Sequence, residues 1–297
     1  EASRCRFADL PFVKPYTGPA SIFLSHAWNG NWGDAVAAAC QGARMDRFVW
    51  IDVAAVRQWP GNGADLDFRA VVRRSRALVV AAAPVPGVGS ATQMSTMQEA
   101  QEYRASPEYR EAAKTLAFCR LWCIVELYAG LEARHPIIFR CCAAWFHVSE
   151  GCYITIISGE EAANMLFNLS SMVDVATAEC AVPADKEREL RTIGEENFAA
   201  LNRAVAGSMM SGGQAAHLAV WEVDAFNCGE PEALRRLPST RVGAAMIAAG
   251  SAGQLAFLSF LLDERVSEVS ELGLALVEVL CSAMTAAAAN GHAAVVQ

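Results

Sequence analysis

Three short, almost wholly apolar runs, separated by segments of helical periodicity, limit the folds open to this chain more than any other feature. The runs lie at residues 21–25, 47–53 and 77–81. A strand that is apolar throughout is buried on both faces, and strands that alternate with helices form parallel sheets covered by those helices. We therefore predict an α/β fold in which these runs provide neighbouring, central, parallel strands.

Further elements follow from the same periodicities. Helical periods lie at 34–43, 68–76 and 121–133, and later apolar runs at 137–141 and 153–157 indicate two more strands. With these two, the predicted sheet has about five strands.

The rest of the chain is interpreted as connections and helices. Residues 1–19 form an irregular lead-in with several prolines and glycines, and the polar stretch 87–118 forms an inserted helical excursion. Residues 160–206 are mainly helical, with an interruption near Pro183.

The net charge and the cysteine spacing argue against some classes of protein. The chain has 297 residues, enough for two or three domains, and a net charge of −8, which argues against a nucleic-acid-binding surface. Its ten cysteines show no Cys-x-x-Cys spacing, so we expect reduced thiols, a cytoplasmic location and no bound metal.

The last part of the chain repeats itself. Ala-Met-Ile-Ala-Ala begins at residue 245 and Ala-Met-Thr-Ala-Ala at residue 283, an offset of 38 residues, and each is followed by a glycine eight residues after its first alanine. Small residues at a fixed period predict stacked helical repeats. Residues 242–262 carry no charge and are about long enough to span a bilayer, but their glycine, serine and alanine content favours a buried helical repeat, so no membrane is expected.

Three segments in the first half resemble Toll/interleukin-1 receptor-type (TIR-like) domains. They are Phe-Leu-Ser-His-Ala-Trp at 23–28, Trp-Ile-Asp-Val-Ala-Ala-Val-Arg-Gln at 50–58 and Arg-Leu-Trp-Cys-Ile-Val-Glu-Leu at 120–127. The resemblance covers residues 21–157 and implies a flavodoxin-like parallel sheet. In the last part, Asn290-Gly291-His292 and the helical period resemble an ankyrin repeat, although the offset is longer than the usual ankyrin period.

The TIR-like resemblance implies a catalytic residue, Glu126, for cleavage of the bond between nicotinamide and ribose in NAD. A single carboxylate suffices for this chemistry because nicotinamide leaves a pyridinium as a neutral base and needs no general acid. NAD would be a substrate, so no cofactor is expected. The substrate-binding set that the resemblance implies is Ser25, Trp28, Asp52, Arg57, Trp122 and Cys123.

Each of these residues also has a plainer interpretation. Glu126 can be a solvated helix residue, Trp122 a packing residue, Cys123 a buried small hydrophobe and Asp52 a turn former. The sequence also departs from the plant immune TIR pattern, because Ala27 and Trp28 stand where that pattern has Arg-Gly. Arg57 or Arg120 would have to supply the missing cation for a phosphate.

The expected organisation has four parts. A lead-in (1–20) precedes the TIR-like α/β domain (21–157), and a helical connecting region (158–215) precedes a truncated ankyrin-like repeat region (216–297), the chain being expected to belong to a longer protein. The first functional hypothesis is an intracellular signalling enzyme that cleaves NAD under the control of repeat-mediated association.

Two other functions remain open at this stage. One is a non-catalytic scaffold that binds proteins through its ankyrin-like repeats and self-associates through its TIR-like surface. The weaker one is a small-ligand receptor of response-regulator shape, for which only Asp52 is well placed.

Overall fold

The structure is a computed structural model. It describes residues 5–41, 43–59, 63–82, 102–103, 105–147, 151–157, 159–218, 237–251, 253–265, 276–289 and 296. Within these residues, the strands are β1 (Ile22–Ser25), β2 (Val49–Trp50), β3 (Ala77–Ala81), β4 (Ile137–His147) and β5 (Gly151–Ile157). The α-helices of this part of the chain are α1 (Trp32–Cys40), α2 (Asp52–Ala55), α3 (Phe68–Arg74), α4 (Pro107–Thr115), α5 (Leu121–Glu132), α6 (Gly159–Ser170), α7 (Pro183–Ile193), α8 (Phe198–Leu218), α9 (Val242–Ser251), α10 (Leu255–Glu264) and α11 (Leu276–Ala289).

The strands form one five-stranded sheet in the order β2-β1-β3-β4-β5. β1 pairs in parallel with β2 and β3, and β3 pairs in parallel with β4. The prediction of neighbouring central parallel strands is confirmed, and the order of the strands is consistent with a flavodoxin-like sheet.

The prediction that all five strands run parallel is wrong for the last strand, because β5 pairs antiparallel with β4. β4 runs to His147, six residues beyond the predicted end, and only residues 148–150 separate it from β5. A parallel pair needs a crossover of a dozen or more residues, whereas so short a connection permits only a hairpin.

Both faces of the sheet are covered by helices. Alternate residues of β1 and β3 pack on opposite faces: Phe23 and Leu78 belong to the core with α5, and Leu24 and Val79 belong to the core with the alanines of α1. α1 begins at Trp32, where the side chain of Asn31 accepts a hydrogen bond from the Gly33 amide.

Helices beyond β5 also contribute to the core under α5. Side chains from α6 (Met165, Leu166) and α8 (Leu201, Val205) join the same cluster as Phe23 of β1. α7 begins at Pro183, which occupies the first helical turn, where a missing amide hydrogen costs nothing. The interruption predicted near this proline therefore corresponds to residues 171–182, and the proline itself starts the next helix.

The inserted stretch 87–118 is described only in part. Residues 87–101 lie outside the described residues, so for them the predicted helical excursion stays a prediction. The described portion contains α4 and buries Leu116 and Phe118 in the core under α5.

A third cluster of buried residues, separate from the cores on the two faces of the sheet, lies in the last three helices. Buried residues of α9 and α10, such as Met246 and Phe257, pack with half-buried Val279 and Leu280 of α11. The uncharged stretch 242–262 is divided between α9 and α10, and Gly253 between them has a φ of 69°, a conformation that favours glycine. None of the helices in the described part of the chain has both the length and the apolar character needed to cross a bilayer.

The repeat prediction falls partly outside the described residues. Residues 216–218 form the end of α8, and residues 219–236, 252, 266–275, 290–295 and 297 lie outside the described residues. Within the described residues, Ala245 and Ala249 of α9 are buried, and so are their counterparts 38 residues later, Ala283 and Ala287 of α11. The ankyrin-like identity of this region stays a prediction.

Candidate functional site

Ser25 and Glu126 meet at the carboxyl end of β1. The hydroxyl of Ser25, the last residue of β1, donates a hydrogen bond to Oε2 of Glu126 at 2.6 Å. Glu126 lies in the second turn of α5, the helix that packs against β1 and β3. Only 6% of Glu126 is exposed, so the plainer interpretation of a solvated helix residue does not describe it.

Burial governs the protonation of Glu126. Removal from water raises the pKa of its carboxyl well above the usual range, and the nearby charge of Asp52 raises it further. The hydrogen bond from Ser25 acts in the opposite direction but does not cancel the effect of burial. Glu126 therefore holds its proton at a pH at which an exposed glutamate is ionised.

The side chain of Asp52, the first residue of α2, is hydrogen-bonded to the loop that follows β1. The indole N–H of Trp28 donates a hydrogen bond to its Oδ2, and its Oδ1 accepts the amide hydrogen of Val53 at 2.6 Å. Nε2 of His26 lies 3.7 Å from the same Oδ1. Because Trp28 is 58% exposed, it is the member of this group that faces solvent.

Cys123 of α5 contacts the loop that follows β1. Its thiol donates a hydrogen bond to the carbonyl oxygen of His26 at 3.3 Å. Burial, and then the charge of Glu126, raise the pKa of the Cys123 thiol well above its usual value. A thiol in this state is a poor nucleophile, which favours the interpretation of Cys123 as a packing and hydrogen-bonding residue.

We call these residues the Ser25–Glu126 cluster, with the members Ser25, His26, Trp28, Asp52, Cys123 and Glu126. Five of the seven predicted site residues belong to it. His26 is the one member that was not among the predicted site residues; its ring lies beside Asp52 and its carbonyl oxygen accepts the hydrogen bond from the Cys123 thiol.

Trp122 lies on another side of α5. Its ring makes an edge contact with Phe68, with ring centroids 5.2 Å apart, and Phe68 in turn contacts Trp50. The guanidinium of Arg188 lies 5.8 Å from the centre of the Trp122 ring. The ring is thus occupied by packing, which favours a structural role for Trp122 over a stacking platform for substrate.

Arg57 and Arg120 are already engaged by carboxylates. Nε of Arg57 lies 2.7 Å from Oδ2 of Asp65, and Nη2 of Arg6 lies 2.6 Å from the other oxygen of the same carboxylate. These two arginines hold the pKa of Asp65 well below its usual range. Nη1 of Arg120 lies 3.2 Å from Oε2 of Glu179. Neither arginine is therefore positioned as an unengaged substitute for the arginine that is missing after Ser25.

Sequence reasoning missed the partners Arg6, Asp65 and Glu179. Arg6 lies in the lead-in, and the contact with Asp65 spans 59 residues. Glu179 lies 59 residues after Arg120, and its backbone carbonyl accepts the Leu121 amide at the start of α5. No periodicity or motif connects such distant positions, so nothing in the sequence pattern indicates these pairs.

Comparison with known proteins adds no assignment. No family model matches the chain, and neither the curated proteins nor the solved structures contain a match. Among the described residues, no group of three or more His, Cys, Asp or Glu side chains is arranged to hold a metal ion.

Proposed function

We propose that this chain is an intracellular, cytoplasmic signalling protein with a TIR-like domain, and that its Ser25–Glu126 cluster cleaves the nicotinamide–ribose bond of NAD. One observation carries the proposal: the three segments that resemble TIR-like domains meet in one hydrogen-bonded cluster. Ser25 and Trp28 come from the first segment, Asp52 from the second and Glu126 from the third. The neighbouring parallel strands β1 and β2 bring the first two segments together at their carboxyl ends, and α5, which packs on β1, adds the third.

The chemistry assigned to Glu126 follows from its surroundings. In its ionised form, a carboxylate in a site shielded from water interacts strongly with positive charge, such as the charge that develops at the anomeric carbon. Ser25 holds the carboxyl in one orientation and stabilises its ionised form. Because Glu126 is almost fully buried, NAD would reach it on the side of Trp28, the exposed member of the cluster.

The test is release of nicotinamide from NAD by the purified chain, compared with Glu126→Gln and Glu126→Ala. We expect both substitutions to lower the rate by about 10²-fold or more, because they remove the charge that stabilises the transition state. The matched control is Glu189→Gln, which changes another buried glutamate, 8% exposed, whose carboxylate pairs with Arg69 and Arg188 away from the cluster.

The pH dependence of the reaction gives a second readout. The ionised Glu126 is the active form, and its pKa is raised, so we expect the rate to increase with pH through a midpoint well above the value of an ordinary glutamate. Glu189→Gln should show the same midpoint as the parent. A parent chain that releases no nicotinamide even at high concentration, or a Glu126→Ala variant as fast as the parent, would refute the catalytic proposal.

The second candidate is a non-catalytic scaffold, with protein partners bound through the ankyrin-like repeats and self-association through the TIR-like surface. One observation favours it: Arg57 and Arg120 are paired with Asp65 and Glu179, which leaves neither as an evident partner for a substrate phosphate. On this proposal, the hydrogen bond between Ser25 and Glu126 serves only to attach α5 to β1. Self-association without nicotinamide release would support it.

A further inference from the structure

A cavity of about 450 Å³ lies between the lead-in, α2 and α3. None of the residues that line it belongs to the Ser25–Glu126 cluster. Its volume falls within the range of small-molecule sites in proteins. Trp50 and Val71 contribute apolar surface. The charged residues at its wall are two arginines and three aspartates: Arg6, Asp9, Asp65, Asp67 and Arg74.

The charged side chains of this cavity differ in whether they have ion-pair or hydrogen-bond partners. Both oxygens of Asp65 are engaged by Arg6 and Arg57, and Oδ2 of Asp9 lies 4.0 Å from Nη1 of Arg6. Oδ1 of Asp67 accepts the Ala70 amide at 3.0 Å as the cap of α3. Arg74 differs from these groups, because its guanidinium has no ion-pair or hydrogen-bond partner among the residues that the structure describes. The second oxygen of Asp67 accepts no hydrogen bond from any residue in the described part of the chain.

The spacing of Asp67 and Arg74 determines the shape of a fitting ligand. They lie at the two ends of α3, seven residues apart, which corresponds to about 10 Å along the helix axis. A complementary ligand therefore carries an anionic group at one end and a hydrogen-bond donor at the other. A flat, weakly polar middle would pack against Trp50 and Val71.

The ring of Trp50 is fixed before any ligand binds. It stacks on Phe23, with ring centroids 4.5 Å apart and planes at 16°, and it contacts the edge of Phe68. A ring that is already immobilised loses little conformational freedom on binding, so this wall of the cavity is preorganised.

We propose that this cavity binds a purine nucleoside monophosphate. The phosphate pairs with Arg74, the amino group of the base donates to the free oxygen of Asp67, and the purine and ribose lie along Trp50 and Val71. An arginine is suited to the phosphate because its guanidinium donates two parallel hydrogen bonds. The proposal does not depend on the role of Glu126.

Calorimetric titration of the full chain with AMP tests the proposal, with adenosine and inorganic phosphate as separate probes. We expect saturable one-to-one binding of AMP and binding weaker by about tenfold or more for each fragment, because each fragment satisfies only one end of the cavity. Absence of AMP binding, or equal affinity for AMP and adenosine, would overturn the proposal.

Two variants locate the site. Arg74→Ala should weaken AMP binding by about tenfold or more, whereas Arg73→Ala should leave it within about twofold. Arg73 is the matched control, since it is the neighbouring arginine and its Nη2 lies 3.6 Å from Glu132, which does not line the cavity.

Ala70→Leu supplies a second and independent change, because the larger side chain would occupy the cavity without removing a charge. We expect weaker AMP binding by a chain that unfolds at the same temperature as the parent. AMP binding unchanged in both Arg74→Ala and Ala70→Leu would place the nucleotide elsewhere and refute the assignment. Glu126→Gln should bind AMP as the parent does, so that loss of NAD cleavage and loss of AMP binding remain separate results.

Discussion

At the residue scale, the buried carboxyl of Glu126 makes folding depend on pH. Its pKa is raised in the folded chain and ordinary in the unfolded chain. Between these two values the folded chain keeps a proton that the unfolded chain has lost. The stabilising contribution is therefore complete below the pKa of the unfolded glutamate and is lost as the pH rises through the pKa of the folded one.

Glu126→Gln should remove this pH dependence. The amide is uncharged at every pH, and its oxygen can still accept the hydrogen bond from Ser25. In the affected window, we expect the free energy of unfolding of the parent to fall relative to that of the variant by up to about 1.4 kcal/mol per pH unit. Urea unfolding between pH 4 and pH 8 measures the difference.

Comparison with the variant is needed because other groups titrate in the same range. Subtracting one curve from the other isolates Glu126, as the two chains differ only at that residue. Curves that stay parallel over the whole range would show that the carboxyl does not bind its proton more tightly in the folded chain.

At the element scale, the close approach of α9 and α11 depends on a glycine. A Cβ atom at Gly250 would lie 2.5 Å from the carbonyl oxygen of Ala283, a backbone atom of α11. Backbone of a packed helix cannot move aside as a flexible side chain can. At Gly250 the two helices therefore approach too closely for α9 to carry a side chain.

Gly250→Ala should destabilise the last three helices by about 1–3 kcal/mol, because it forces α9 and α11 apart. The control is Gly207→Ala in α8, where an added Cβ has nothing within 4 Å. That substitution should stabilise the chain by about 0.5–1 kcal/mol through better helix propensity. Urea unfolding followed by circular dichroism measures both changes, and shifts of the same sign would contradict the close contact.

Most strands and helices could be predicted from the sequence, because their patterns are local. The apolar runs of β1 and β3 and the helical period of α5 each occupy one short segment. The direction of β5 depends on the length of the connection from β4. The apolar run of β4 continues past residue 141 through Cys-Ala-Ala-Trp-Phe at 142–146, and the prediction, which ended that strand at 141, did not use this signal.

In the candidate site, too, the residues in local motifs could be predicted and the contacts between distant residues could not. Ser25, Asp52 and Glu126 could be proposed because each lies in a recognisable segment at a strand end or on a helix. The ion pair between Arg57 and Asp65 could not be predicted. The same carboxylate also pairs with Arg6, which lies in the lead-in, where the sequence has no regular pattern. Whether a cation is available to a substrate is decided by such distant pairs.

At the scale of the whole molecule, the core under α5 is built from segments on both sides of residue 157. Leu166 of α6 and Leu201 and Val205 of α8 are buried with Phe23 and Phe139 of the sheet. Burial of each large apolar side chain stabilises a fold by about 1.5–3 kcal/mol. Several such side chains together match the total stability of a typical domain, about 5–15 kcal/mol.

A fragment that ends at Ile157 should therefore fail to fold, and a fragment that ends at Leu218 should fold. The longer fragment retains α6 and α8, which cover the core under α5. We expect cooperative thermal unfolding and dispersed amide NMR signals for the longer fragment only. Cooperative unfolding of the shorter fragment would show that the sheet and its first helices are stable without the later ones.

The antiparallel pair of β4 and β5 also bears on the order of folding. Its two strands are joined by three residues, so their contacts are local and closing the connection costs little entropy. The pairing of β1 with β3 and of β3 with β4 joins segments far apart in the chain, and such contacts form slowly. The hairpin is thus expected to form early and to present the first half of β4 as an edge onto which β3, and then β1, assemble.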